Sequence, residues 1–357
     1  MRSFIYNSHP GRVIFGAGTL ATALSGELER LGCKQVLILA TPGHEARARA
    51  IAAQLGVGTR NIFAGARMHT PVAITEQAVA LATELRADGL LAVGGGSTIG
   101  LGKAIAFRTD LPQIVVPTTY AGSEMTSILG QTEQGAKTTL TSPKVLPEVV
   151  IYDVDLTMTL PARLCVTSGM NGVAHAVEAL YSRDHNPLIS SMAQEGIRAL
   201  VGALPRIAAN PSDREARSDA LYGAWLCGIC LGSVGMALHH KLCHTLGGSF
   251  DLPHAETHTV VLPHALAYNA AAIPEAMVQL RAVLGTDPAA ALHELAGRLG
   301  APRSLQELGM QESSIDAAAR RALANPYWNP RPLEFAAIRS LIARAWAGQA
   351  PQEQSAS

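Results

Sequence analysis

GLLAVGGGSTIGLGKAIAFR, residues 89–108, reads as a strand that runs into a helix through three glycines. GLLAV is an unbroken apolar run of strand length, whereas STIGLGKAIAFR has helical period. A strand apolar on both faces belongs inside a parallel sheet covered by helices on each side. The neighbouring segments agree. Upstream, VLILA (36–40) is a second such strand, followed by the helical stretches HEARARAIAAQLG and VAITEQAVALATELR. Downstream, QIVVPTT (113–119) supplies a third strand. Strands alternating with amphipathic helices predict an α/β, Rossmann-like N-terminal domain with a parallel sheet.

Beyond about residue 155 the pattern changes. TLPARLCVTSGMNGVAHAVEALYS, LISSMAQEGIRALVGALPRIAAN and SDREARSDALYGAWLCGICLGSVGMALHHKLCHTLGG all have helical period, and no strand is evident. The tail continues as helices interrupted at Pro302, Pro326 and Pro330. At 357 residues the chain is too long for one ordinary core. The expected organisation is an α/β domain over residues 1–155 and an all-α C-terminal domain over 156–357. The boundary falls near VVIYDVDLTMTLP, and chemistry is expected between the two domains.

Composition removes several function classes. The formal net charge is zero, which excludes the basic face that nucleic acid or an anionic membrane surface demands. No apolar run approaches the ~18 residues of a membrane span. MRSFIYNSHPGRVIFG lacks the apolar core of a secretory signal. Five scattered cysteines, Cys33, Cys165, Cys227, Cys230 and Cys243, point to a reducing, cytoplasmic setting. Cys227-Gly-Ile-Cys230 has redox spacing but lies in an apolar helical run, where buried structural thiols are expected.

Gly94-Gly95-Gly96-Ser97 sits where a strand gives way to a helix. Without side chains the backbone can approach a diphosphate, and a helix N-terminus offers unpaired N–H groups to it. The loop is neither a GxGxxG fingerprint nor a P-loop, and a plain strand–helix turn would use the same residues. VPTTYAGSEMTS (116–127) adds a polar rim at a strand's carboxyl end, with Thr118, Thr119, Tyr120, Ser123 and Glu124. Open α/β sheets bind ligands at that edge.

The densest chemistry lies in HHKLCHTLGGSFDLPH (239–254), with four of the chain's twelve histidines; His258 and His264 follow. His240 and His244 are four apart and share a helix face, while His239 and Lys241 point roughly 100° to either side. Gly247-Gly248 is expected to end that helix, and His254 to arrive after a ten-residue loop closed by Pro253. Asn171 and His175 are likewise four apart on an earlier helix. Two helices can thus present His175, His240 and His254 to one point, with His244 adjacent. Three imidazoles and a carboxylate would suit Zn²⁺ or Fe²⁺. The fourth group here is the amide of Asn171, and Glu178 is expected on a neighbouring stripe. Any metal held by His175, His240 and His254 would have neutral ligands only. His9, His44, His69, His185 and His293 are isolated and receive no role.

VIFGAGTL, AVGGGSTIGLGKAIA, VPTTYAGSEMT, SGMNGVAHAVEALYS and ALHHKLCHTLGGSFDLPHAETHTVVLPHALAYN, in that order, span nearly the whole chain. Together they resemble the iron-containing alcohol dehydrogenase superfamily, which includes glycerol dehydrogenase and dehydroquinate synthase. PTTYAGSEMT, the asparagine of SGMNGVAHAVEALYS, GAKTTLTSPKVLPEVVIYD and NPYWNPRPLE are similar to its maleylacetate reductase branch. Metal-dependent relatives carry Asp where this chain has Asn171, and read HGxxNA where it has His254-Ala255-Glu256-Thr257-His258-Thr259.

The resemblance implies a cytoplasmic enzyme, a homodimer, that reduces a small dicarboxylate with NADH or NADPH during breakdown of aromatic compounds. It assigns the dinucleotide to Gly94, Gly95, Gly96, Ser97, Thr118, Thr119 and Lys137. Thr41 stands where many relatives place an Asp on the ribose diol, so both NADH and NADPH are expected to be accepted. A metal is not expected to be required. Asn171, His175, His240 and His254 then form the substrate pocket, with His244 as proton donor or oxyanion partner and Lys241 and Tyr120 as carboxylate contacts. The alternatives are an iron- or zinc-dependent alcohol or aldehyde dehydrogenase, a dehydroquinate-synthase-like lyase, or a dinucleotide-binding scaffold without activity.

Overall fold

The computed structural model describes Phe4, Tyr6, residues 11–134 and residues 136–353, with the side chains of Ala136 and Lys137 outside the description. The chain divides into two compact units, one over residues 8–160 and one over residues 161–357 together with the N-terminal Phe4 and Tyr6, where the sequence places a single divide at 155.

The first unit runs β1 (Arg12–Gly16), α1 (Thr19–Leu31), β2 (Val36–Leu39), α2 (Glu45–Gln54), β3 (Ile62–Phe63), α3 (Val72–Glu84), β4 (Gly89–Gly94), α4 (Gly96–Thr109), β5 (Gln113–Pro117), β6 (Ile128–Glu133), β7 (Ala136–Thr141) and β8 (Val149–Asp153). Six strands form a parallel sheet in the order β1-β8-β5-β4-β2-β3, while β6 and β7 pair as an antiparallel hairpin. Strand periodicity splits the apolar residues between two layers. Ile38, Leu91, Val93, Ile114 and Ile151 pack with α1 and α2, whereas Leu37, Leu39, Leu90, Ala92 and Val115 pack with α3 and α4. Both faces are covered, as the continuous apolar strands require.

The order of connection matters for function. From β2 the chain moves outward to β3, then returns to β4 and proceeds the other way through β5 and β8. The direction therefore reverses between β2 and β4. Ligands of open α/β sheets sit at the carboxyl ends of strands at such a reversal.

The second unit is helical, with no strand among its described residues: α5 (Ala162–Tyr181), α6 (Pro187–Ala209), α7 (Arg214–Ser233), α8 (Leu238–Phe250), α9 (His254–Asn269), α10 (Pro274–Leu284), α11 (Pro288–Arg298), α12 (Ile315–Leu323) and α13 (Phe335–Trp346). Asn186, Asp213 and Asp287 cap α6, α7 and α11 through their side chains. α5 is buried from Cys165 to Tyr181 without interruption, as the central helix of a bundle must be. α8, α9, α12 and α13 share a core that includes Leu242, Leu246, Val261, Ala319 and Ile338.

Two expectations about the histidine segment are corrected. Gly247 and Gly248 lie inside α8, which ends instead at Asp251 in the left-handed conformation (φ 54°). His254 follows only a three-residue connection and is the first residue of α9, where Pro253 is the N-cap. The helical period also hides a sharp break, for α7 and α8 meet at 95°. No single helix is long and apolar enough to cross a membrane.

Candidate active site

The reversal point of the sheet gathers the residues expected to meet a dinucleotide. Gly94 ends β4, Gly95 is the N-cap of α4, and Gly96 and Ser97 open that helix. The adjacent glycines have different reasons to be glycine. A Cβ on Gly95 would lie 2.8 Å from Thr119 Cγ2, so the neighbouring strand end forbids it. A Cβ on Gly96 would meet nothing within 4 Å, which leaves open backbone at a helix N-terminus. The Thr118 amide donates to the Gly94 carbonyl (3.1 Å) and ties the two strand ends together. Thr98 Oγ1 and Thr119 Oγ1 are buried without a hydrogen-bond partner among the described residues. Thr41 follows β2, its Oγ1 2.8 Å from His44 Nδ1. Lys137 stands on β7 opposite Thr132, but its side chain lies outside the described residues.

Sequence reasoning missed Lys103. Its ammonium is wholly buried and donates to the carbonyls of Ser123, Thr126 and Ile128 and to Thr126 Oγ1, at 2.5–3.0 Å. Burial pulls its pKa down to about 7 against the nearby Glu124 charge. Four oxygen acceptors nonetheless favour the ammonium, and through them α4 fixes the loop that follows Thr118 and Thr119. Glu124, also buried, accepts from Tyr152 Oη (2.9 Å). Tyr120, expected to face a substrate carboxylate, has no exposed surface.

In the helical unit, α5 carries Asn171, His175 and Glu178 at i, i+4 and i+7, one face of the helix. Glu178 therefore shares the stripe of Asn171 and His175, contrary to the sequence reading. α8 contributes His239, His240, Lys241 and His244, and α9 contributes His254 and His258. Ring centroids lie 5.1 Å apart for His175 and His240, 5.0 Å for His240 and His258, and 4.4 Å for His254 and His258. His244 is 6.3 Å from both His240 and His254 and is exposed, whereas His254 is half-buried. The half-buried Lys241 points its ammonium over the Tyr327 ring, 5.6 Å from the centroid.

His258 had no role in the sequence reading, although its i+4 spacing from His254 was a usable signal. It is fully buried and joined to His239 by a 2.9 Å bond between His258 Nδ1 and His239 Nε2. Asn171 Oδ1, His175 Nδ1, His240 Nε2 and His258 Nε2 are all buried without a partner among the described residues. Orphaned buried polar atoms are costly, and four in one cluster mark a site that awaits a polar ligand. Burial, reinforced by neighbouring imidazoles, pushes His175 and His258 well below the usual histidine range and His239 down to about 3. These three rings are neutral at pH 7.

Glu178 is the exception to that neutrality. Burial would raise its carboxyl, but the His240 hydrogen bond and charge, His239 and the Ala237 amide outweigh it and hold the pKa at about 2. It accepts from His240 Nδ1 at 2.7 Å, so its charge is turned away from the orphaned atoms.

A metal fits this arrangement poorly. Among the described histidine, cysteine and carboxylate groups, the set whose donor atoms all lie within 4.8 Å of one another is His239, Cys243 and His258. His175, His240 and His254 are not gathered in that way, and Asn171 adds no charge to hold a dication. The His239–Cys243–His258 set already closes on its own imidazole–imidazole hydrogen bond. Cys227 and Cys230 are buried free thiols whose pKa values burial raises, Cys230 to about 12, as befits structural cysteines.

Comparison with known proteins places the whole chain. The model for iron-containing alcohol dehydrogenase matches residues 10–154, and that for the Fe-containing alcohol dehydrogenase family, C-terminal, matches residues 165–346. A maleylacetate reductase of Rhizobium sp. is 54% identical over 352 residues, 99% of this chain and 100% of the relative. One of Sphingobium indicum is 54% identical over 349 residues, covering 98% and 99%. Among solved structures, a putative alcohol dehydrogenase from Ralstonia eutropha superposes with a TM-score of 0.97 at 55% identity, over 99% of this chain and 100% of that one. A maleylacetate reductase from Agrobacterium tumefaciens gives 0.94 at 54%, over 98% and 100%. The chain is an oxidoreductase and belongs to the iron-containing alcohol dehydrogenase family.

Proposed function

We propose that the chain reduces the C=C bond of maleylacetate with NADH or NADPH, giving 3-oxoadipate. Relatives of that name match at 54% identity from end to end. The observation that carries the reading is the cluster of orphaned imidazole nitrogens on His175, His240 and His258, beside which the Glu178 carboxylate is engaged by His240 Nδ1.

In the reaction, hydride with its electron pair leaves C4 of the reduced nicotinamide for the alkene carbon β to the ketone. The π pair becomes an enolate on the ketone oxygen, and a proton added to the α carbon completes the product. The protein must anchor two carboxylates and stabilise one oxyanion. An amide can donate to a carboxylate where an aspartate cannot, which gives Asn171 its purpose. His175, His240 and His254 surround the oxyanion, exposed His244 delivers the proton, and Lys241 pairs with the second carboxylate. An enolate is a weaker base than an alkoxide, so N–H donors suffice and no bound metal is required.

One second reading has an observation in its favour, alcohol oxidation with a metal: the family's name includes iron, and the Ralstonia eutropha neighbour is named a putative alcohol dehydrogenase. NADH oxidation with maleylacetate or simple aldehydes, before and after EDTA, separates the two. Turnover of maleylacetate unaffected by chelation is expected. Loss on stripping, with recovery on adding iron or zinc, would overturn the metal-free mechanism. The family resemblance also implies a homodimer, which light scattering tests.

A further inference from the structure

We propose that Glu178 is a positioning residue: it holds His240 with Nδ1–H turned onto its carboxylate and Nε2 turned into the histidine cluster, and thereby fixes how His240 meets the charge formed on the substrate. The proposal rests on the reductase reading for its kinetic consequences but not for its geometry.

Glu178 has no exposed surface and five donors converge on it. The Ala237 amide donates at 3.0 Å, the His239 amide at 2.8 Å and the His240 amide at 3.4 Å. The His240 ring donates through Nδ1 at 2.7 Å, and Tyr181 Oη donates at 3.1 Å. An ionised carboxylate can only accept, so the His240 proton in this bond resides on Nδ1. Nε2 is then the atom presented to the cluster, where it has no partner, and it donates to an oxyanion when His240 carries its second proton. With its oxygens engaged and no exposed surface, Glu178 does not touch substrate; it acts through His240. A carboxylate behind an imidazole fixes the ring's tautomer and orientation and supports positive charge on it.

The bland alternative is a helix cap. Glu178 does meet the first amides of α8, and an acceptor there would be useful whatever the ring did. A cap, however, needs neither the ring bond nor a negative charge. Glu178→Gln separates the two roles, because glutamine keeps the size and one acceptor oxygen for the amides. The expected result is a fall in kcat of roughly 10–100-fold with KM for maleylacetate changed far less, and partial rescue in Glu178→Asp. In a His240→Gln background the same substitution should cost no further activity. Multiplied losses in that double variant, or equal activity of Glu178→Gln and wild type, would reduce Glu178 to a cap.

Histidine ¹⁵N labelling and NMR of the substrate-free protein give a readout independent of turnover. Wild type should show His240 protonated on Nδ1, and Glu178→Gln should lose that signal while its circular dichroism is unchanged. If maleylacetate is not turned over yet the signal behaves this way, the function assignment fails and the positioning role stands. Should Glu178→Gln not fold, the wild-type spectrum still decides, since His240 protonated on Nε2 alone would overturn the proposal.

Discussion

Glu178→Gln should also leave a signature in acid stability. The buried carboxyl is held at about 2 against an ordinary 4.5. At about 1.4 kcal/mol for each tenfold change in proton affinity, that depression corresponds to roughly 3–4 kcal/mol. The sign follows from the direction. A carboxyl whose folded pKa is depressed contributes its stability above 4.5, and loses it as pH falls from 4.5 toward 2. His175, His239 and His258 act in a different window. Their folded pKa values lie below the ordinary 6.5, so the unfolded chain takes up protons first. Their contribution is whole above 6.5 and declines as pH falls, for His239 toward about 3. Wild type should therefore begin to weaken below pH 6.5, well before Glu178 titrates. The variant keeps the histidines, so the difference between the two proteins isolates the carboxylate. Thermal unfolding followed by circular dichroism between pH 7 and pH 3 measures it. A gap of about 3–4 kcal/mol, roughly 6–16 °C for a unit of this size, should hold from pH 7 to pH 5 and fall by more than half at pH 3. A gap that is absent at pH 7, or the same at pH 3 as at pH 7, would refute the picture of a buried ionised Glu178.

Three further outcomes are expected. Gly96→Ala should leave the melting temperature unchanged or slightly higher, because an added Cβ meets nothing and alanine suits a helix better by about 0.5–1 kcal/mol. It should nevertheless raise KM for NADH by about tenfold, whereas Gly95→Ala, pressed against Thr119, should lose about 1–3 kcal/mol of stability; equal behaviour of the two in paired melting and kinetic assays would remove the glycine loop from cofactor binding. Wild type should use NADH and NADPH alike, and Thr41→Asp should lower kcat/KM for NADPH tenfold or more through repulsion of the 2′-phosphate; strict NADH dependence of the wild type would sink this reading. His244→Ala should lower kcat by about 10²–10⁴ with little change in KM, and unchanged turnover would take His244 out of proton delivery.

What the sequence disclosed followed how local each cause was. β4 and α4 were legible because an apolar run, three glycines and a helical period lie within twenty residues. β1 and β8 were not, although they pair with each other and complete the sheet. VVIYD has the apolar, β-branched composition of the core strands but stands where the sequence pattern changes and reads as a domain boundary, while RVIFG is short and pairs, among the described residues, only with β8, more than a hundred residues away. The β6–β7 hairpin was missed because ILGQTE and AKTTLT lack the apolar runs that marked the core strands. His175, His240 and His254 were legible from helical spacing. Glu178 had the right spacing too, seven residues after Asn171, but the amides and the imidazole that hold it are 59–62 residues away in sequence. The break between α7 and α8 was invisible for the same reason: residues 234–237 carry no proline, and the group that caps the exposed amides comes from α5.

That break and the seating of His240 are one feature. Burying a carboxylate costs several kcal/mol unless donors surround it, and α7 continued straight through residues 234–240 would have committed those amides to its own carbonyls. Interrupting the helix frees the amides of Ala237, His239 and His240 for Glu178. On α8 a carboxylate seated there takes its side-chain hydrogen bond from the His240 ring. His240 is third in α8, and His239, rotated roughly 100° about the helix, pairs instead with His258. The two adjacent imidazoles are consequently not interchangeable. His240→Ala should abolish most of the turnover with His239 intact, while His239→Ala should cost stability through the loss of a buried, hydrogen-bonded ring and leave kcat within a few-fold. Steady-state kinetics and melting curves on this pair would sink the assignment if the two variants lost activity to the same extent.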